Sequence, residues 1–175
     1  MLYFLILHGL IGAFDVLWNH ELKERLPSQA WAAREQGLHC ARESLFAALF
    51  IGLAWWQWHG APVWLVAALV AAELGVTTRD AVVELRTRVL SVSEQLSHVL
   101  LYINLGVFLS LLVGQLRRWR GLPAAIVAVD YGWRSWLLTA LGMLALAWSV
   151  RDGVRAATLR RLPARTPPAA CAARH

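Results

Sequence analysis

The stretch Glu94–Leu116, EQLSHVLLYINLGVFLSLLVGQL, decides the class of fold. Its acidic and basic side chains, Glu94 and His98, lie at its start, and the rest is apolar or small but for Gln95, Tyr102, Asn104 and Gln115. A helix crosses a bilayer in about 20 residues at roughly 1.5 Å each, so this block is long enough to span. Outward from it lie four further apolar blocks. They run from Leu2 to Trp18, Gln36 to Trp58, Val63 to Leu85 and Arg134 to Val150. The first and last of these are near the short limit of about 17 residues. Irregular backbone cannot face lipid, so five spanning helices is the coherent expectation.

The connectors agree with this division. The polar segment His20–Glu35 carries a turn signal at Pro27-Ser28, and His59-Gly60-Ala61-Pro62 is a tight turn with proline suited to start the next helix. Arg86–Ser93 is short, with Ser93 a fitting N-cap for the fourth block. Gly121–Trp133 is a loop with room for an interfacial segment. The expected fold is therefore all-α, a polytopic transmembrane bundle over residues 1–155. A disordered basic tail over 156–175 follows, rich in Ala, Arg and Pro.

Composition supports that class. The chain is 58% hydrophobic and 16% charged, with ten tryptophans in 175 residues; soluble domains run at about 45–50% apolar. Met1-Leu2-Tyr3-Phe4 has no basic n-region and no cleavage site follows the first block, so that helix is expected to stay. The net charge of +6 would suggest nucleic acid in a soluble protein, but the arginines sit at helix ends and in the tail, where topology accounts for them. Nucleic-acid binding is not expected. Cys40 and Cys171 form no CxxC and no zinc spacing.

With five spans, thirteen of the 17 Lys and Arg fall on the side of the C-terminus, against Arg117, Arg118, Arg120 and Arg134 on the other. The positive-inside rule then puts the C-terminus in the cytoplasm and the N-terminus outside, in a bacterial inner membrane. Trp18, Trp31, Trp55, Trp56, Trp58, Trp64, Trp119, Trp133 and Trp136 fit interfacial belts.

Ionisable residues inside spans are costly and mark function by default. Several here are pairs four residues apart, which share a helix face. His39 with Glu43 opens the second block, Asp80 with Glu84 closes the third, and Glu94 with His98 opens the fourth. Asp15, Asn19, His20 and Glu21 end the first. All are expected at one depth near the cytoplasmic face. A deeper layer of His8, Glu73 and Asn104 lies ten or eleven residues from that level, about 15 Å inward.

Imidazole and carboxylate without thiolate suit iron, manganese or zinc, and helix bundles commonly house such sites. The expected ligands are His39, Glu43, Asp80, Glu84, Glu94 and His98, with His20 and Glu21 as outer or acid–base groups. Arg42 and Arg79 are expected beside the cluster, offsetting its charge. Glu24, Glu35, Asp130 and Asp152 read as surface charges, and His8 as a hydrogen-bonded core histidine. A bis-histidine haem site from His8, His39 and His98 fits less well among so many carboxylates.

Known motifs are not matched. Glu94-x-x-x-His98 is one residue longer than the Glu-x-x-His of ferritin-like bundles, and the HxxxH and HxxHH boxes of membrane desaturases do not occur. The segments Asp15-Val-Leu-Trp-Asn-His20-Glu21, His39-Cys-Ala-Arg42-Glu43 and Glu94-Gln-Leu-Ser-His98, with Glu73, Asp80 and Glu84, resemble a group of small bacterial inner-membrane proteins with a D-x4-H-E motif after the first helix. The resemblance covers about the first 105 residues and implies a membrane location, with no reaction attached. Three function classes follow. One is a metal-dependent membrane protein, with an oxidoreductase on a lipophilic substrate in view. The second is a small proton-coupled transporter using Asp15, Glu73 and Asp80. The third is a non-enzymatic assembly protein with structural ion pairs.

Overall fold

A computed structural model describes residues 1–161. Five long helices carry the fold: α1 (Leu2–Phe14), α2 (Ala33–Trp55), α3 (Val63–Thr87), α4 (Val92–Arg120) and α5 (Trp133–Leu159). The all-α expectation holds, with one addition. Strands β1 (Trp56–His59) and β2 (Ala125–Ala128) pair antiparallel, Trp56 opposite Ala128 and His59 opposite Ala125. Each is four residues long and they are far apart in sequence, so no local pattern announces them. Gly60 turns the chain out of β1 at φ +61°, and a Cβ there would meet Ala124 Cα at 2.7 Å, so only glycine fits this corner.

Helix ends differ from the sequence reading in several places, and Trp56, Gln57 and Trp58, read into the second block, belong to β1 because α2 ends at Trp55. The first apolar run does not stop at Trp18. It continues from α1 as a π-helix, Asp15–Lys23. Helix α5 runs nine residues beyond Val150, to Leu159, with Asp152, Ala156 and Leu159 buried. The part of the expected tail from residue 162, Cys171 included, lies outside the described residues. Helix α4 begins at Val92 and not after a Ser93 cap; the Ser93 hydroxyl instead donates to Asn19 Oδ1 at 2.7 Å.

Four helical segments are long and apolar enough to cross a membrane: Leu2–Lys23, Ala30–Trp55, Val92–Arg120 and Trp133–Leu159. Helix α3 is long enough, at 25 residues, but carries Glu73, Arg79, Asp80, Glu84 and Arg86. Its acidic members Glu73, Asp80 and Glu84 are all buried, so they turn inward as their seven-and-four spacing predicts.

The bundle is divided along its axis. Near the β-ribbon the core is apolar, built from Leu5, Phe46, Leu49, Phe50, Leu53, Val66, Phe108, Leu112 and Leu138. The other end is polar. Helices α2 and α5 join the halves along a seam of small and hydroxyl residues. A Cβ on Gly142 would meet Ile51 Cγ1 at 2.9 Å, Ser44 and Ser149 hydroxyls stand 2.6 Å apart, and Ser135 donates to the Ala54 carbonyl at 2.7 Å. Small side chains let the two backbones approach closely, which fixes the relative height of residues on α2 and α5.

Candidate metal centre

Five elements meet at the polar end, and each brings its charged residues for a local reason. In the π-helix the turn is wider than in an α-helix, so residues four and five apart face the same way. Asp15, Asn19 and His20 all point inward, each no more than 1% exposed. Asn19 Nδ2 donates to Asp15 Oδ1 at 2.7 Å, which holds the turn together. The first two turns of α2 bury Glu35 and His39, the last turns of α3 bury Asp80 and Glu84, and the start of α4 buries Glu94 and His98.

These side chains converge. His20 Nε2 lies 3.2 Å from Glu94 Oε1 and 3.5 Å from Asp15 Oδ2. His98 Nε2 lies 3.3 Å from Asp15 Oδ2, and its Nδ1 lies 3.6 Å from Glu84 Oε2. His39 Nε2 lies 3.4 Å from Asp80 Oδ2 and 3.9 Å from Glu84 Oε1. The His20 and His39 rings stack with centroids 4.6 Å apart. One donor atom each from His20, Glu84, Glu94 and His98 lie within 4.8 Å of one another, and so do donors from Glu35, His39 and Glu84. Tetrahedral ligands at about 2.1 Å from zinc stand roughly 3.4 Å apart, so the shorter separations already suit an ion and the longer ones close by small side-chain movements. These buried His and Glu groups could hold a metal ion.

Charge at this end is unbalanced. Seven carboxylates are buried here: Asp15, Glu35, Glu43, Asp80, Glu84, Glu94 and Asp152. Three guanidinium groups meet them. Arg42 reaches Asp80 at 2.8 Å, Arg88 reaches Glu35 at 2.7 Å and Glu94 at 2.6 Å, and Arg151 pairs with Glu21 and Asp152. Burial alone would weaken Arg88's hold on its proton, but hydrogen bonds and charge from Glu94 and Glu35 more than reverse this and keep it charged. Several polar atoms in the cluster find no hydrogen-bond partner, among them both ring nitrogens of His20, His39 Nε2, Glu84 Oε1 and Asp80 Oδ1. Buried polar atoms are rarely left so, and those of His20, His39 and Glu84 belong to residues of the two donor groups that could hold an ion.

Several residues take other places than their sequence suggested. His20 is a central member and not an outer one. Glu21 turns away to Arg151, at the rim. Arg79 is exposed and makes no ion pair with the cluster; Arg88, on the α3–α4 connector, does that work. Glu35 and Asp152 are not surface charges, being 1% and 2% exposed. Glu43 and Asp80 fall outside both candidate ligand groups, Asp80 tied to Arg42 and Glu43 facing a neighbouring cavity.

That cavity has a volume of about 160 Å³ and lies between the helices, beside the cluster. Phe46, Phe50, Leu101, Leu105 and Leu141 give it apolar walls, while Asp15, Glu43, Glu73 and His98 give it a polar side. Asp15 and His98 belong to both cavity and cluster. The deeper layer is present as well. Asn104 Nδ2 donates to the Phe4 carbonyl at 2.9 Å and stands 3.3 Å from His8 Nδ1, and Thr77 donates to Glu73 Oε1 at 2.5 Å. Compared with family models, with curated proteins and with solved structures, the chain matches none.

Proposed function

We propose that the chain is an integral membrane protein whose polar end binds a metal ion on His20, Glu84, Glu94 and His98, beside a cavity that takes a lipophilic substrate. The observation that carries this reading is the excess of buried carboxylates over guanidinium groups around imidazoles with unpartnered nitrogens. Ionised carboxylates in a low-dielectric interior need cations or protons, and a divalent ion among neutral imidazoles supplies the charge. The donor set suits iron, manganese or zinc. An ion fits better than haem, because the imidazole nitrogens face carboxylates at 3.2–3.9 Å and leave no gap for a macrocycle.

The exposed surface supports a bilayer around the bundle. Helix α4 alone exposes Leu96, Val99, Leu100, Ile103 and Leu111, and exposed apolar surface on this scale marks contact with lipid or protein. Trp18, Trp64, Trp133 and Trp136 are more than half exposed, as residues of an interfacial belt would be. The basic residues orient the polar end towards the cytoplasm. A reporter fused at the C-terminus is expected to be active only in its cytoplasmic form, and a periplasmic signal would overturn that orientation.

A substrate in the cavity would meet the ion at Asp15 and His98. A redox metal there would supply electron transfer to or from the bound substrate, which makes an oxidoreductase the reading we favour. In that role Asp15, 3.3 Å from His98 Nε2, orients the imidazole and holds its proton. The second reading is a proton-coupled carrier, favoured by the protonatable Asp15, Glu43 and Glu73 along one cavity. Elemental analysis of detergent-purified protein separates the two. Iron, manganese or zinc is expected at one or more per chain; metal-free protein after anaerobic purification would sink the metal reading in favour of the carrier.

A further inference from the structure

We infer that the centre is dinuclear, with a second metal ion on Glu35, His39 and Glu84 and with Glu84 bridging the two ions. This rests on the metal reading above and adds a site to it.

The geometry of Glu84 points there first. Its two oxygens diverge to different helices, Oε1 to His39 Nε2 on α2 at 3.9 Å and Oε2 to His98 Nδ1 on α4 at 3.6 Å. A bridging carboxylate offers one oxygen to each ion, and the two Glu84 oxygens are turned to a histidine of each donor group. Two-metal sites hold their ions about 3.5–4 Å apart. The His20 and His39 rings stack at 4.6 Å, side by side as imidazoles of neighbouring ions stand.

The second position also has its own unmet valence. His39 is 1% exposed, yet its Nε2 finds no hydrogen bond, and neither does Glu84 Oε1 beside it. Its other nitrogen, Nδ1, faces Asp152 Oδ2 at 4.0 Å, which leaves Nε2 as the metal-facing atom. Metal-bound histidines usually carry an outer carboxylate of this kind, and Asp15 serves His98 in the same way. Asp80, 3.4 Å from His39 Nε2 and held by Arg42 at 2.8 Å, borders this position without belonging to its donor group.

Charge favours two ions over one. With imidazoles neutral, as metal ligands must be, the seven carboxylates buried at this end exceed three guanidinium groups by four. One divalent ion would leave two negative charges uncompensated, and two would leave none. Arg88 adds symmetry: its Nη2 joins Glu35 at 2.7 Å to Glu94 at 2.6 Å, one ligand carboxylate from each position.

The test loads the full chain with Mn²⁺ in detergent and records bound metal and electron paramagnetic resonance. The expected result is two ions per chain with a spin-coupled signal. His39→Ala should retain one ion and show the six-line spectrum of isolated Mn²⁺. One ion and an uncoupled spectrum in the unaltered protein would overturn the bridge while leaving a single-ion site standing. No bound ion would overturn the metal reading itself. The unaltered protein's spectrum decides the matter even if the variant fails to fold.

Discussion

Replacing Glu84 by alanine strips the protein of its metal. Glu84 is shared by both groups of donors, so no other single residue reaches as much of the centre. Removing an outer partner of a ligand typically weakens binding about 10–100-fold, and removing a direct ligand shared by both positions should exceed that range. Elemental analysis after dialysis against a weak chelator reads the effect. Glu21→Ala, changed at the rim, should keep the metal content of the unaltered protein. Retention of full metal by the Glu84 variant would show that the ion sits elsewhere.

Replacing Arg88 by alanine destabilises the metal-free protein by about 3–5 kcal/mol, the usual result of breaking a buried ion pair on one side. Glu35 and Glu94 are 1% and 0% exposed, and this guanidinium hydrogen-bonds both. Glu35→Ala should cost a similar amount, because it strands the arginine. Glu24→Ala, on the partly exposed π-helix end, should stay within about 0.5 kcal/mol. Thermal unfolding in detergent checks the order. Metal loading should shrink the Arg88 effect, since ions replace the lost positive charge. An Arg88→Ala protein as stable as the parent would mean that Glu35 and Glu94 are protonated and need no cation.

The helices were legible because apolar runs of about 20 residues are a strong, local signal. The β-ribbon was not, since it joins residues 56–59 to 125–128 across two helices. The end of α5 was misread for a physical reason. Arg151, Asp152 and Arg155 look like tail, but Asp152 is buried against His39 and Arg151, so the helix continues through its charges. In the site, four-residue spacing found His39, Asp80, Glu84, Glu94 and His98. It was applied unevenly, however. Glu35 stands four before His39 as Glu43 stands four after it, and Arg88 stands four after Glu84. Both partners were therefore within reach of the same rule. His20 reads as an outer group because the apolar run ends at Trp18 and a polar connector follows, whereas the helix continues inward-facing through it as a π-helix to Lys23.

The central claim is that metal is held by imidazoles and carboxylates drawn from different helices of one bundle. X-ray absorption fine structure on the metal-loaded chain tests it most directly. The account predicts a shell of nitrogen and oxygen only, at about 2.0–2.2 Å, with imidazole outer scattering that weakens in His20→Ala and His98→Ala. A spectrum with sulfur ligation, or one unchanged in both variants, would contradict it.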